Sequence, residues 1–79
     1  MRPIYPDLGT YIRETGDTQL NIARRVGISQ AGVCRILRGD YVPRPDVALR
    51  LAAYAKVPLD SFTRMFLIRR AARLAGRVA

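Results

Sequence analysis

Between Gln19 and Arg38 two short apolar periodicities stand on either side of a glycine, and this constrains the fold of the 79-residue chain more than any other feature. Ile22, Ala23 and Val26 line one side of the first segment, and Val33, Ile36 and Leu37 line one side of the second, so each reads as a helix with a single buried face. Gly27 lies where the chain must bend, because glycine enters the left-handed region after a helix without a steric cost. Ile28 sits in the bend, and Ala23 is small enough to let the two helices cross closely. Thr18 and Ser29 precede the two segments as N-caps, each offering an oxygen to backbone amides that the helix leaves unpaired. Gly39 closes the second.

The same reasoning predicts three further helices. Asp7 to Thr15 places Leu8, Tyr11 and Ile12 inward and ends at Gly16. After a loop Asp40-Tyr41-Val42-Pro43-Arg44, whose prolines Pro43 and Pro45 exclude helix, a fourth helix is expected over 45–56 with Pro45 in its first turn. Val47, Leu51, Tyr54 and Ala55 are its core side, and Asp46 suits its positive end. Pro58 breaks it. A fifth starts near Asp60 and carries Leu59, Phe62, Met65, Phe66, Leu67 and Ile68 as a dense apolar patch, with the pattern continuing through Ala72 and Leu74. The expectation is an all-α compact bundle of about five helices in a single domain, with a core over about 7–62 and a basic, apolar tail over 63–79.

An apolar content of 49% is enough for one small core that buries about 60–65% of the unfolded surface. One cysteine and no histidine leave no disulfide framework and no Cys/His zinc site, so no metal and no cofactor are expected. The start Met1-Arg2-Pro3-Ile4-Tyr5-Pro6-Asp7 lacks the apolar run of a signal peptide, and no stretch approaches the ~18 apolar residues of a membrane span. A cytoplasmic location follows as an expectation. The net charge of +8 favours a polyanionic partner, and 13 of the 14 basic side chains are arginine, whose fork fits phosphate and guanine. An arginine excess is also what a GC-rich genome produces. Five of those arginines and no acid lie from Ser61 onward, so the tail carries more than half the excess.

The run Thr18-Gln19, Ala23, Gly27, Ser29-Gln30, Val33, Ile36, Gly39 resembles the Cro/CI-type (Xre-like) phage repressor family, over roughly Leu8 to Phe62. The resemblance implies a lambda-repressor-like helix-turn-helix fold. It also implies a sequence-specific regulator of double-stranded DNA, of phage, prophage or plasmid type, that represses as a homodimer on a pseudo-palindromic operator. Carried over by position, Gln30, Ala31 and Arg35 face the bases: glutamine pairs with adenine, the alanine methyl touches thymine, and arginine grips guanine. Cys34, one turn on from Gln30, is either a soft base contact or an inert thiol. Gln19 and Ser29 at helix starts, Arg38 and Arg44, and then Arg24 and Arg25 are the phosphate candidates. Gly32 within the reading helix either permits close approach or marks a tolerant position.

Three departures from the family pattern are visible. Ile12 and Leu37 stand where many members bury an arginine and a glutamate, which predicts an apolar contact between the first and third helices. Asp17 replaces a commonly apolar residue, with Leu20 expected to fill the space. Lys56 replaces a glycine after the fourth helix.

An apolar surplus beyond the fold points to a partner face, with Phe62, Met65, Phe66 and Ile68 as dimerisation residues. Core packing with a basic end is the simpler account of the tail, in which Arg69, Arg70, Arg73 and Arg77 are left for phosphates. A membrane-surface helix is a third. Arg2 before Pro3 is either a minor-groove arm or a loose end. Another class of function is a protein-interaction module, antitoxin-like or anti-repressor-like, that retains the fold. Catalysis is not expected: Asp7, Glu14, Asp17, Asp40, Asp46 and Asp60 form no recognisable acid/base or metal pair, and no small-molecule site is evident.

Overall fold

A computed structural model describes residues 3–78, with side chains through Gly76, so the expectation for Arg2 and the side chain of Arg77 lie outside the described residues. Five helices follow in order: α1 Leu8–Thr15, α2 Gln19–Val26, α3 Gln30–Leu37, α4 Pro45–Ala55 and α5 Ser61–Val78. Every expected helix is present; the ends of α1 to α4 are shifted by no more than about one residue, and α5 runs on past Leu74 to Val78.

Capping sets the boundaries. The side chains of Asp7, Thr18 and Ser29 accept from the amides of Thr10, Asn21 and Gly32, three residues into α1, α2 and α3. Pro45 supplies the pre-set φ at the start of α4, with Asp46 in its first turn. Gly27 adopts φ 84° and returns its amide to the Ala23 carbonyl, turning the chain from α2 into α3. Gly39, at φ 72°, is also a close approach: a Cβ there would fall 2.7 Å from the Met65 carbonyl oxygen. Only hydrogen lets the end of α3 lie this near to α5.

Leu8, Ile22, Ala23, Val26, Val33, Ile36, Ala48, Leu51, Ala55, Val57 and Phe62 form one buried cluster. It draws on all five helices. Ile12 and Leu37 are both partly buried and each packs against this cluster.

Asp17 does something the sequence reading did not foresee. The hydroxyls of Tyr11 and Tyr54 both donate to its Oδ2, at 2.5 and 2.6 Å, while Asn21 Nδ2 and the Thr18 amide donate to Oδ1, each at 2.8 Å. Tyr11 also stacks edge-on against Tyr5 and Tyr54, with ring centroids 5.5 and 5.9 Å apart. One carboxylate thus ties α1 and α4 to the start of α2. Leu20 does not fill the space, being 44% exposed; the polar network occupies it. Desolvation pushes the Asp17 carboxyl upward, but the four hydrogen bonds outweigh it and hold the pKa down at about 2. Burial, then the bonds to Asp17 and Tyr54, raise the Tyr11 phenol above its ordinary value.

The expected glycine position after α4 holds Lys56 at φ 57°, the single positive-φ non-glycine residue among those described. Its carbonyl accepts from the amides of Ile4 and Tyr5 at 2.8 and 3.0 Å, so the strained turn anchors the N-terminal segment. Lys56→Gly should therefore stabilise the fold by about 0.5–1 kcal/mol in urea denaturation, after the added freedom of the unfolded glycine is set against the relieved strain. Asp17→Asn should destabilise it by about 1–2 kcal/mol near neutral pH. Because the folded carboxyl titrates below its unfolded value of 3.8, the stability it contributes is whole above that value and fades as pH falls toward 2. Wild type and variant should converge in unfolding free energy as the pH is lowered through that window.

Candidate nucleic-acid interface

The buried side of α3 is defined by Val33 and Ile36, at 0% and 1% exposure. At 100° per residue, Ala31, Cys34, Arg35 and Arg38 fall in an arc of roughly 100° directly opposite them, with Gln30 at its edge in the first turn. Ala31, Gln30, Arg35 and Arg38 are exposed, and Cys34 is half-buried. Ala31, Cys34 and Arg35, three of the four residues predicted to face bases, thus share one outward strip with Gln30 exposed beside it, and α3 rests on α2 rather than being enclosed.

Ser29 is exposed at the start of this strip, its Oγ accepting from the Gly32 amide at 3.0 Å. Gln19, half-buried, opens α2, and Arg24 and Arg25 are exposed in its last turn. Among the described residues, Arg24, Arg25, Arg35 and Arg38 make no ion pair, which leaves four uncompensated guanidinium groups along α2 and α3. Arg44 is 87% exposed and only 3.9 Å from Asp46, a solvent-screened contact that leaves it available.

Tyr41, from the loop after α3, was not singled out in the sequence. A Cβ on Gly32 would lie 3.4 Å from the Tyr41 hydroxyl and 3.2 Å from Ser29 Oγ. The phenol therefore reaches back along α3 to its leading end, and Gly32 is the residue that makes room. No local pattern encodes this return, since it depends on the path of the loop through buried Gly39 and Pro43.

The tail arrangement corrects the expectation for α5. Phe62 is 2% exposed and belongs to the core, not to a partner face. Met65 and Phe66 are half-buried, while Ile68 is 71% exposed. Arg73 is not left for phosphate, since it donates to Asp40 Oδ1 at 2.9 Å; Arg69 lies 3.9 Å from the same oxygen.

Among the described residues there is no group of three or more His, Cys, Asp or Glu side chains able to hold a metal, and no helix long and apolar enough to cross a membrane. Removing the Ser29 hydroxyl as Ser29→Ala should fray the leading turn of α3 and cost about 1 kcal/mol, measured by thermal or chemical unfolding.

No curated protein and no solved structure matches the chain. The helix-turn-helix family model matches residues 11–62, from the middle of α1 to the second residue of α5, and so spans the cap, turn and outward strip described above. The chain belongs to the Xre/Cro/CI-type helix-turn-helix family of DNA-binding regulators.

Proposed function

We propose that this chain is a sequence-specific repressor of phage, prophage or plasmid type, which binds a pseudo-palindromic operator as a dimer and occupies it against polymerase. The observation that carries the proposal is the outward strip of α3, where Gln30, Ala31 and Arg35 are exposed on a helix whose opposite side is fixed in the core. With the leading end of α3 in the major groove, Gln30 pairs with adenine, Ala31 meets a thymine methyl and Arg35 takes guanine O6 and N7. Cys34 lies between them as an apolar contact.

Ser29, Gln19, Arg38, Arg44, Arg24 and Arg25 surround that strip and set the position on the backbone without reading sequence. Tyr41 joins them as a neutral donor to phosphate, because its hydroxyl stands beside Ser29 at the leading end. Counterion release by the arginines makes affinity fall steeply with salt.

Binding measured by fluorescence anisotropy on a selected site and its single-base variants tests these roles. Arg35→Ala should erase about 1–3 kcal/mol of preference at one base pair. Arg44→Ala should instead weaken all duplexes alike and lower the slope of log K against log salt by about 1. Tyr41→Phe should weaken all duplexes with the slope unchanged, since no charge is lost. A wild-type chain with equal affinity for every duplex, or for none, would sink the proposal.

A further inference from the structure

Val33 and Ile36 anchor α3 in the core, and the two are only ~4.5 Å apart along its axis. They set its rotation and its general direction. The last few degrees of its tilt rest on whatever holds its trailing end, and the leverage there is large. Over the ~12 Å length of α3, a swing of about 5° shifts the leading turn by roughly 1 Å. A paired hydrogen bond to a base edge tolerates about half of that.

Apolar packing does not supply the restraint, because a groove of about 310 Å³ lined by Leu37, Gly39, Met65, Ile68 and Ala72 separates the end of α3 from α5. Gly39 permits the close approach to Met65, but a hydrogen atom holds nothing in place. What joins the two helices is Asp40. Its amide donates to the Arg35 carbonyl at 3.0 Å, closing the last turn of α3 on a residue proposed to read a base. Its carboxylate accepts from Arg73 Nη2 at 2.9 Å, with Arg69 Nε 3.9 Å from the same oxygen. The Asp40 side chain is 28% exposed, against 60% for Asp46 and 73% for Asp60, so its pair is the least screened by solvent.

Nothing local favours an acid here. A negative charge at the C-terminal end of α3 opposes the dipole of that helix. Position 40 also falls between Arg38 and Arg44, the proposed phosphate anchors, where an anion weakens attraction to a duplex. Both penalties fall on a residue whose charged partners, among the described residues, are on α5.

We propose that Asp40 is a positioning residue for base reading: clamped by Arg73 and Arg69, it fixes the tilt of α3 against α5 and with it the reach of Gln30 and Arg35 into the major groove. This rests on the DNA-reading function proposed above and adds a residue that sets specificity without touching a base.

Asp40→Ala removes the acceptor and keeps the backbone bond to Arg35. Fluorescence anisotropy on the selected site and its single-base variants should show the preference at the Arg35 base pair falling at least about threefold. Affinity for an unrelated duplex should hold or rise, because an anion has gone. A merely structural role moves both affinities down together. Asp60→Ala is the charge-matched control: it removes an acid whose neighbour is Arg64, 3.5 Å away on α5, and should leave the preference intact. Arg69→Gln combined with Arg73→Gln should reproduce the loss, and adding Asp40→Ala should deepen it no further, since the same clamp is removed each time. Without DNA, residual dipolar couplings of the α3 amides should report a tilt relative to α2 and α4 that changes in Asp40→Ala and not in Asp60→Ala.

A preference that survives Asp40→Ala overturns the proposal, as does an equal loss in Asp60→Ala or losses that add in the triple variant. An α3 tilt unchanged in Asp40→Ala overturns it whatever the binding data show. A wild type with no preference among duplexes sinks the DNA-reading function instead, and the couplings still decide whether Asp40 holds α3.

Discussion

Every exposed side chain on α3 is aimed by two that are not exposed at all. Val33 and Ile36 are sunk into a cluster shared by all five helices, and α2 supplies their closest support through Ile22, Ala23 and Val26. A helix of eight residues would not hold its shape alone in water. Its direction and its rotation about its own axis are therefore both properties of the core. The surface chemistry follows: once Val33 and Ile36 are fixed, Ala31, Cys34, Arg35 and Arg38 have one direction left to face.

Much of this was legible because the relevant signals are local. Apolar spacing located the buried sides, Thr18 and Ser29 announced two helix starts, and Gly27 and Gly39 marked two ends, each by chemistry acting within about four residues. Such rules do not report where a side chain ends up after the chain has turned several times. Asp17 reads locally as a polar residue in an apolar position; its meaning depends on Tyr54, which lies 37 residues away in sequence. The same limit applies to Phe62. Its composition and spacing fit a partner face as well as a core, and only the placement of α5 against the bundle decides between them.

Charge shows a parallel division. The sequence carries +8, more than half of it from Ser61 onward, and the fold sorts its basic groups by partner. Arg50 and Arg64 lie 3.9 and 3.5 Å from acids one helical turn away, and Arg69 and Arg73 secure the loop after α3 through Asp40. The exposed pairs contribute little to stability. What they change is the map of unneutralised charge: among the described residues Arg24, Arg25, Arg35 and Arg38 along α2 and α3 stay unpaired, as do Arg13, Lys56 and Arg70 elsewhere.

Gly39 leaves no room for any other residue without a shift of backbone, whereas Gln30, Ala31 and Arg35 project from a helix whose packing does not involve them. The two sites consequently face different evolutionary pressures. Under the proposed function, exchanging the outward residues would respecify what is read at negligible structural cost, while the joint between α3 and α5 at Gly39 admits almost no drift. A lineage built on this scaffold can diversify its targets quickly and still inherit, unchanged, the geometry with which it presents them.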